Sequence, residues 1–210
     1  MNKQEPIQLY YFPTPNGHKI TIALEEMNLA YDIKIVDILK GDQFKPEFLA
    51  ISPNNKMPAI VDPSGFDGQP ISVFESGAIL QYLGRKTGLF YPSTERERIE
   101  VEQWLMWQMG GFGPMLGQNH HFVQYAPERI PYAIDRYISE SRRLYTVLDQ
   151  RLADRDYVAG EYSIADMAII GWALGWKQQQ IDIDALPNAK AYIERVSSRP
   201  AVQRALAKKN

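Results

Sequence analysis

The chain has 210 residues, 45% of them hydrophobic and 23% charged, with a formal net charge of −2. Those proportions describe an ordinary globular protein able to bury one large core or two modest ones; they exclude a disordered chain, and the charge gives no general pull toward nucleic acid or acidic membranes. Cysteine is absent, which removes disulfides, thiolate-held metals and a cysteine nucleophile of the protein's own, so any thiol chemistry must use a thiol that arrives with a ligand.

Met1 to Pro6 is polar, carries Glu5 and lacks the apolar core of a signal peptide; no stretch is long enough to span a bilayer. The expected location is cytoplasmic, with no membrane or nucleic-acid partner. Ile7 to Phe12 is a β-type run stopped by Pro13 and Pro15. Beyond Asn16 and Gly17, the residues Ile20, Ala23, Leu24 and Met27 recur at helical spacing, with Asn28 near the end. The alternating Tyr31, Ile33 and Ile35 predict a second strand over Tyr31 to Ile38, and Lys45 to Ile51 a short helix before the loop at Pro53 to Asn55. Two short strands follow, Pro58 to Val61 and Ile71 to Phe74, separated by turn residues from Asp62 to Pro70. A helix from Ser76 to about Lys86 closes the unit. The order β-α-β-α-β-β-α, with a helical crossover and a final hairpin, is that of a thioredoxin-like α/β domain.

Thr87 to Thr94, with Gly88, Pro92 and Ser93, reads as a linker, and beyond it strand signals vanish. Val101, Trp104, Leu105, Met109 and Phe112 form one helical stripe, which Gly110, Gly111, Gly113 and Pro114 are expected to break or kink. Ile134, Tyr137, Ile138, Tyr145, Leu148 and Leu152 mark a long helix. Ser163-Ile164-Ala165-Asp166 opens an apolar helix running to about Trp176: Ser163 and Asp166 have capping-box spacing, and Tyr162 and Met167 are placed as its hydrophobic staple. Shorter helices follow Pro187 and Pro200. The expected division is a thioredoxin-like domain over 1–86, a linker over 87–94 and an all-helical domain over 95–210.

Three stretches carry chemistry. After the first strand, Thr14-Pro15-Asn16-Gly17 occupies the position where redox proteins of this arrangement carry cysteines at a helix start. Thr14 and Asn16 can donate hydrogen bonds to a ligand's thiolate; equally, Asn16 could be a helix cap in a turn set by the prolines. Met57, held extended by Pro58, could offer its N–H and C=O to an extended peptide ligand. Glu75 and Ser76 sit where a strand turns into a helix, and the free N–H groups there favour an anion. With the Ser76 hydroxyl and the Glu75 carboxylate, the spot matches a ligand bearing both an α-carboxylate and an α-amine, such as an amino acid or a γ-glutamyl group. Alternatively one of the pair is a plain N-cap.

The strings TPNGHKI, KMPAIV, FESGAILQYL and YSIAD together resemble a cytosolic glutathione transferase, over essentially the whole chain from about Ile7 to about Ala205. The longer strings ISPNNKMPAIVD, FESGAILQYLGRKTGLF and GPMLGQNHHF resemble the bacterial nu class, whose members reduce disulfides with glutathione and conjugate electrophiles poorly. The resemblance implies a two-domain transferase fold, glutathione as co-substrate, a small-molecule or peptide disulfide or an electrophile as partner, and a homodimer. Residue by residue, it places Thr14 and Asn16 at the glutathione sulfur, Met57 against the cysteinyl part ahead of a cis-proline at Pro58, and Glu75 and Ser76 at the γ-glutamyl group. Gln43 falls near the glycyl end, Lys56 could neutralise the glycyl carboxylate, and Arg136 is offered across the dimer interface.

Some residues are expected to be structural. Tyr10 and Tyr11 resemble the activating tyrosine of other classes, but strand alternation sends them to opposite faces. His120 and His121 are adjacent on a helix without a third ligand and are read as packing or subunit-facing residues. Trp104, Trp107, Trp172 and Trp176 read as core, Trp172 or Trp176 with the option of lining an electrophile pocket. Lys208 and Lys209 read as a frayed tail. Two function classes follow: a glutathione-dependent disulfide-bond oxidoreductase with weak transferase and peroxidase activity, or, alternatively, an ordinary conjugating transferase or a non-catalytic glutathione-binding regulator.

Overall fold

The computed structural model describes residues 5–208; Met1 to Gln4 of the polar leader stretch and Lys209 of the tail lie outside the described residues. The strands are β1 (Ile7–Tyr11), β2 (Tyr31–Ile35), β3 (Ala59–Asp62) and β4 (Ile71–Phe74), in the sheet order β2-β1-β3-β4. β1 runs parallel to β2, and β3 is antiparallel to both β1 and β4. Along β1, Ile7, Leu9 and Tyr11 are buried while Gln8 and Tyr10 are half-buried, so the period-two pattern sets which face meets the helices. β2 stops short of the expected Ile38: the Val36 N–H still donates to the Tyr11 carbonyl, but Asp42 Oδ2 then accepts from the Asp37 N–H at 3.0 Å and peels the chain away. β3 starts at Ala59, one residue after Pro58, which has no N–H for the ladder.

Around the sheet lie α1 (Pro15–Glu26), α2 (Pro46–Leu49) and α3 (Ser76–Thr87). The chain's last helix, α9 (Pro200–Leu206), packs on α1: Arg204 Nε meets Glu25 Oε2 at 2.8 Å, and Lys208 Nζ meets Glu25 Oε1 at 3.2 Å. The chain therefore divides into one unit running to Tyr91 plus the residues from Pro200, and a second from Pro92 to Arg199. This corrects the expectation that 95–210 forms a single helical domain, because Val202 and Ala205 bury themselves with the first unit. Nor is Lys208 a frayed tail: it is ion-paired and lies 5.4 Å from the Tyr31 ring centre.

The second unit contains α4 (Glu95–Trp107), α5 (Gly113–His120), α6 (Pro131–Arg151), α7 (Ile164–Ala173) and α8 (Pro187–Ser197). The Gly110 to Pro114 stretch does not end the helix. The chain passes through a π-helical turn at Gln108–Phe112, and a second π turn at His121–Tyr125 closes α5. Gly113 permits this: a Cβ there would lie 2.6 Å from Gln108 Nε2. Phe112, fully buried, stacks on Trp107 at 4.9 Å and meets Tyr145 edge-on at 5.2 Å.

α7 opens on the predicted capping box: Asp166 Oδ2 accepts from the Ser163 N–H at 2.9 Å, while Oδ1 accepts from the Val158 N–H and the Tyr192 hydroxyl, both at 3.1 Å. Burial pushes the Asp166 carboxyl up to about 6, against the pull of those donors. α7 ends at Ala173 instead of Trp176, because side chains take its last carbonyls: Gln179 Nε2 donates to Trp172 O and the Tyr145 hydroxyl to Ala173 O, both at 3.0 Å. Among the described residues, no helix is long and apolar enough to cross a membrane.

Candidate functional site

The sheet register brings the motif residues to one end of the first unit. Tyr10 pairs with Ala59 and Ala59 with Phe74. One step beyond that row the chain carries Pro58 and Met57 at the start of β3, Tyr11 and Phe12 at the end of β1, and Glu75 and Ser76 after β4. The Phe12 N–H donates directly to Met57 Sδ at 3.1 Å. The Met57–Pro58 bond is cis. Met57 also packs on the Val36, Phe48 and Ala59 cluster, which ties the loop after β2 to the same end.

Two helices start here, α1 after β1 and α3 after β4, so two sets of free N–H groups and two positive dipole ends share this end of the sheet. Thr14, extended at φ −126°, caps α1 by accepting from the Gly17 N–H at 3.1 Å, while its own hydroxyl donates toward Met57 Sδ at 3.8 Å. The hydroxyl thus meets the protein's own thioether, while its oxygen serves the cap. Asn16 is not the cap; it occupies the second helical position and is half-buried. Gly17 lets the helix start approach the strand end, since a Cβ there would stand 2.2 Å from Phe12 O.

At α3, Glu75 is the N-cap residue by position, yet its side chain makes no capping hydrogen bond. Its backbone is held at φ 67°, ψ 116°, a conformation that residues with a Cβ rarely adopt. Glu75 is exposed, and Ser76, the first helical residue, is buried. A carboxylate presented outward over a helix start is therefore not explained as a cap.

Lys19 completes the electrostatics, and sequence reasoning assigned it no role. It is 2% exposed on α1; burial lowers its ammonium pKa to about 7, and the Glu75 carboxylate opposes that shift. The available signal was a lysine four residues before Ala23, on the apolar face of the helix.

Gln43 lies in the 3-10 turn Asp42–Phe44. Its Nε2 donates to Ile38 O at 3.4 Å, and its Oε1 is buried with no partner among the described residues. Lys56 is exposed, and its carbonyl accepts from Ser52 Oγ at 2.8 Å, which pins the loop ahead of Met57. Arg136 belongs to the second unit: it is exposed on α6 in a surface groove of about 670 Å³, together with Tyr132, Glu140 and Arg143.

The tyrosines near the first helix are built into the core. Tyr11 is fully buried with its hydroxyl 3.3 Å from both His18 Nδ1 and Lys208 O, and burial pushes it up to about 12. Tyr10 packs on Phe48 with ring centres 5.9 Å apart. His120 sits 5.7 Å from the Trp172 ring and His121 5.0 Å from Phe122. Among the described residues no group of three or more histidine or acidic side chains could hold a metal ion.

The arrangement can hold an extended anionic peptide, and comparison with known proteins gives the family. The family pattern of the glutathione S-transferase N-terminal domain matches residues 14–86, and that of the C-terminal domain residues 133–200. The chain is 58% identical over 204 residues to the disulfide-bond oxidoreductase YfcG of Escherichia coli, covering 96% of this chain and 95% of that protein. It is 42% identical to the disulfide-bond oxidoreductase YghU of the same organism, over 96% of this chain and 74% of that one. A solved glutathione transferase from Pseudomonas putida, with one glutathione disulfide bound per subunit, matches with a TM-score of 0.94 at 43% identity, over 100% of this chain and 94% of that chain. Another from Burkholderia graminis, with two glutathione molecules per subunit, matches with a TM-score of 0.92 at 44% identity, over 96% and 88%. With both domains matched and near-full-length identity of this order, the chain belongs to the glutathione S-transferase family.

Proposed function

We propose that this enzyme is a glutathione-dependent disulfide-bond oxidoreductase, working as a cytoplasmic homodimer, with weaker transferase and peroxidase activity. The observation that carries the reading is the convergence of Thr14 at the α1 start, Met57 and Glu75 at one end of the sheet, in a chain without cysteine. Glutathione lies with its cysteinyl part along Met57 and Pro58 and its γ-glutamyl carboxylate on Ser76 and the α3 N-terminus. Its α-ammonium meets Glu75, while Gln43 and Lys56 serve the glycyl end. Arg136 reaches the glutathione of the neighbouring subunit.

At the sulfur, donation from Thr14 and Asn16 and the positive end of α1 stabilise the thiolate and lower the thiol pKa. The thiolate attacks one sulfur of the substrate disulfide; an S–S bond forms as another breaks, and the displaced thiolate leaves with a proton from solvent. A second glutathione thiolate then attacks the glutathione sulfur of the mixed disulfide, releasing the remaining substrate thiol and glutathione disulfide. Two glutathiones are oxidised for each disulfide reduced. Relatives named as disulfide-bond oxidoreductases, and relatives that bind two glutathiones or one glutathione disulfide per subunit, support this reading.

The test uses the missing cysteine. Protein treated with an alkylating agent and dialysed should keep its full rate of reducing 2-hydroxyethyl disulfide once fresh glutathione is added. A protein that leaves this rate at the uncatalysed level, yet conjugates an aryl halide briskly, is an ordinary transferase.

A further inference from the structure

Two donors beside the start of α1 converge on one side chain. The Phe12 N–H reaches Met57 Sδ at 3.1 Å, and the Thr14 hydroxyl reaches the same sulfur at 3.8 Å. A tight turn sets the two donors side by side, since the Thr14 N–H donates to Phe12 O at 2.8 Å. The sulfur is held in place: Met57 is half-buried, packs on the Val36, Phe48 and Ala59 cluster, and accepts from Phe12 at its far end. Thr14 is committed on its acceptor side, where Oγ1 takes the Gly17 N–H at 3.1 Å. A hydroxyl has one hydrogen to give, so the strongest acceptor within reach decides where it goes. A thioether is a weak acceptor, and 3.8 Å is a long contact even for sulfur.

We infer that Met57 is a positioning residue through its side chain: the thioether holds the Thr14 hydroxyl hydrogen in the free protein and yields it to the glutathione thiolate on binding. The inference rests on the glutathione reading above and adds to it a control on the donor at sulfur, separate from the backbone contact given to Met57 there. A hydrogen bond to an anion is about twice as strong as one between neutral groups, so the exchange from thioether to thiolate runs toward the thiolate. A carbonyl oxygen in the same place would compete for the hydrogen far better than the thioether does. The acceptor strength of side chain 57 therefore sets how acidic the bound thiol becomes.

The test compares wild type with Met57→Leu, which has no acceptor, and Met57→Gln, which presents an amide oxygen on a chain of similar length. The thiolate of bound glutathione is titrated by its ultraviolet absorbance against the glutathione-free protein, which has no thiol of its own. Lys56, next in the chain to Met57, and His18, against the Tyr11 hydroxyl, are the same in every variant, so differences report the acceptor at 57. The midpoint should rise in the order leucine, methionine, glutamine, with glutamine about one pH unit above leucine, a tenfold loss of thiolate at fixed pH. At saturating glutathione, kcat for disulfide reduction should follow the same order downward. In a Thr14→Val background the differences should vanish, because no hydroxyl remains to be contested. Should Met57→Gln fail to fold, wild type against Met57→Leu carries the test, with leucine about threefold richer in thiolate at fixed pH and the gap closed by Thr14→Val. A shared midpoint in all variants, or differences that persist in Thr14→Val, overturns the positioning role. If wild type binds glutathione and reduces disulfides while the midpoints coincide, only the Met57 inference fails. If wild type binds no glutathione, both readings fail.

Discussion

The backbone at Glu75 is held at φ 67°, ψ 116° although the residue is not glycine, and this strain should be measurable as stability. A side-chain-bearing residue in so sparsely populated a region costs about 1–3 kcal/mol. Glycine adopts it freely but makes the unfolded chain more flexible, which returns about 0.4–1 kcal/mol of the gain. Glu75→Gly alone would mix this effect with loss of the carboxylate charge. The informative quantity is therefore the difference between Glu75→Gly and Glu75→Gln, since both lack the carboxylate and the side chain is exposed. Glu75→Gly should be the more stable of the two by about 1 kcal/mol, a rise in Tm of roughly 2–4 °C for a chain of this size. Urea denaturation followed by circular dichroism gives the free energies, and calorimetry with glutathione gives the affinity, which should fall in both. A Glu75→Gly protein no more stable than Glu75→Gln would show that α3 imposes no strain, and the argument that Glu75 is held there for a ligand would lose its physical basis.

Thr14→Ala removes both the α1 cap and the hydroxyl proposed to serve the glutathione sulfur, so it should cost about 1 kcal/mol of stability and lower turnover, whereas Thr14→Ser should recover both; matching activity in the two variants would remove Thr14 from that role. Ser76→Ala should weaken glutathione binding by about 1.5–3 kcal/mol in calorimetry, and unchanged affinity would leave Ser76 a helix-start residue only. If the chain works as the proposed homodimer, Arg136→Lys should weaken glutathione binding while sedimenting as wild type does, because lysine lacks the two-pronged guanidinium geometry; full affinity in this variant would contradict the role given to Arg136. Burial holds Lys19 at about 7 in the fold, below its ordinary 10.5. Between those values the unfolded chain binds a proton that the folded one does not, so stability rises with pH across that window, by at most about 1.4 kcal/mol per unit. Lys19→Met should remove that slope from paired urea titrations, and an identical slope in both proteins would show that Lys19 titrates normally.

The fold was legible where one rule acts without competition. The β-type run from Ile7 to Phe12, stopped by Pro13 and Pro15, identifies β1 to within one residue, and the Ser163 to Asp166 spacing locates the start of α7 to the residue. Boundaries that depend on distant partners were not. Nothing local in Trp172 to Trp176 says that Tyr145 and Gln179 will take the carbonyls that end α7, and nothing local in Pro200 to Leu206 says that Glu25 will draw that helix to the first unit. The Gly110 to Pro114 stretch, where a break or kink was expected, shows a related effect. Glycine and proline signal a break when a helix stands alone, but with Phe112 locked between Trp107 and Tyr145 the chain keeps its helical course and absorbs the misfit as a π turn.

In the site, the division falls between positions and roles. Thr14, Met57 and Glu75 were readable as the residues at strand ends and helix starts, and the sheet register does bring them to one end of the first unit. Which of them caps a helix was not readable, because capping depends on one dihedral: the spacing suited Asn16, yet Thr14 is the extended residue and carries the bond to Gly17. That difference changes the chemistry. Asn16, which does not cap α1, lies on its first turn beside Thr14, whose hydroxyl meets Met57 Sδ, and in the proposed mechanism both serve as donors to a developing thiolate. Asn16→Ala should accordingly lower turnover while leaving the melting temperature near that of wild type, the opposite balance from Thr14→Ala. A drop in melting equal to that of Thr14→Ala, with activity lost only in proportion to unfolded protein, would return Asn16 to a structural role.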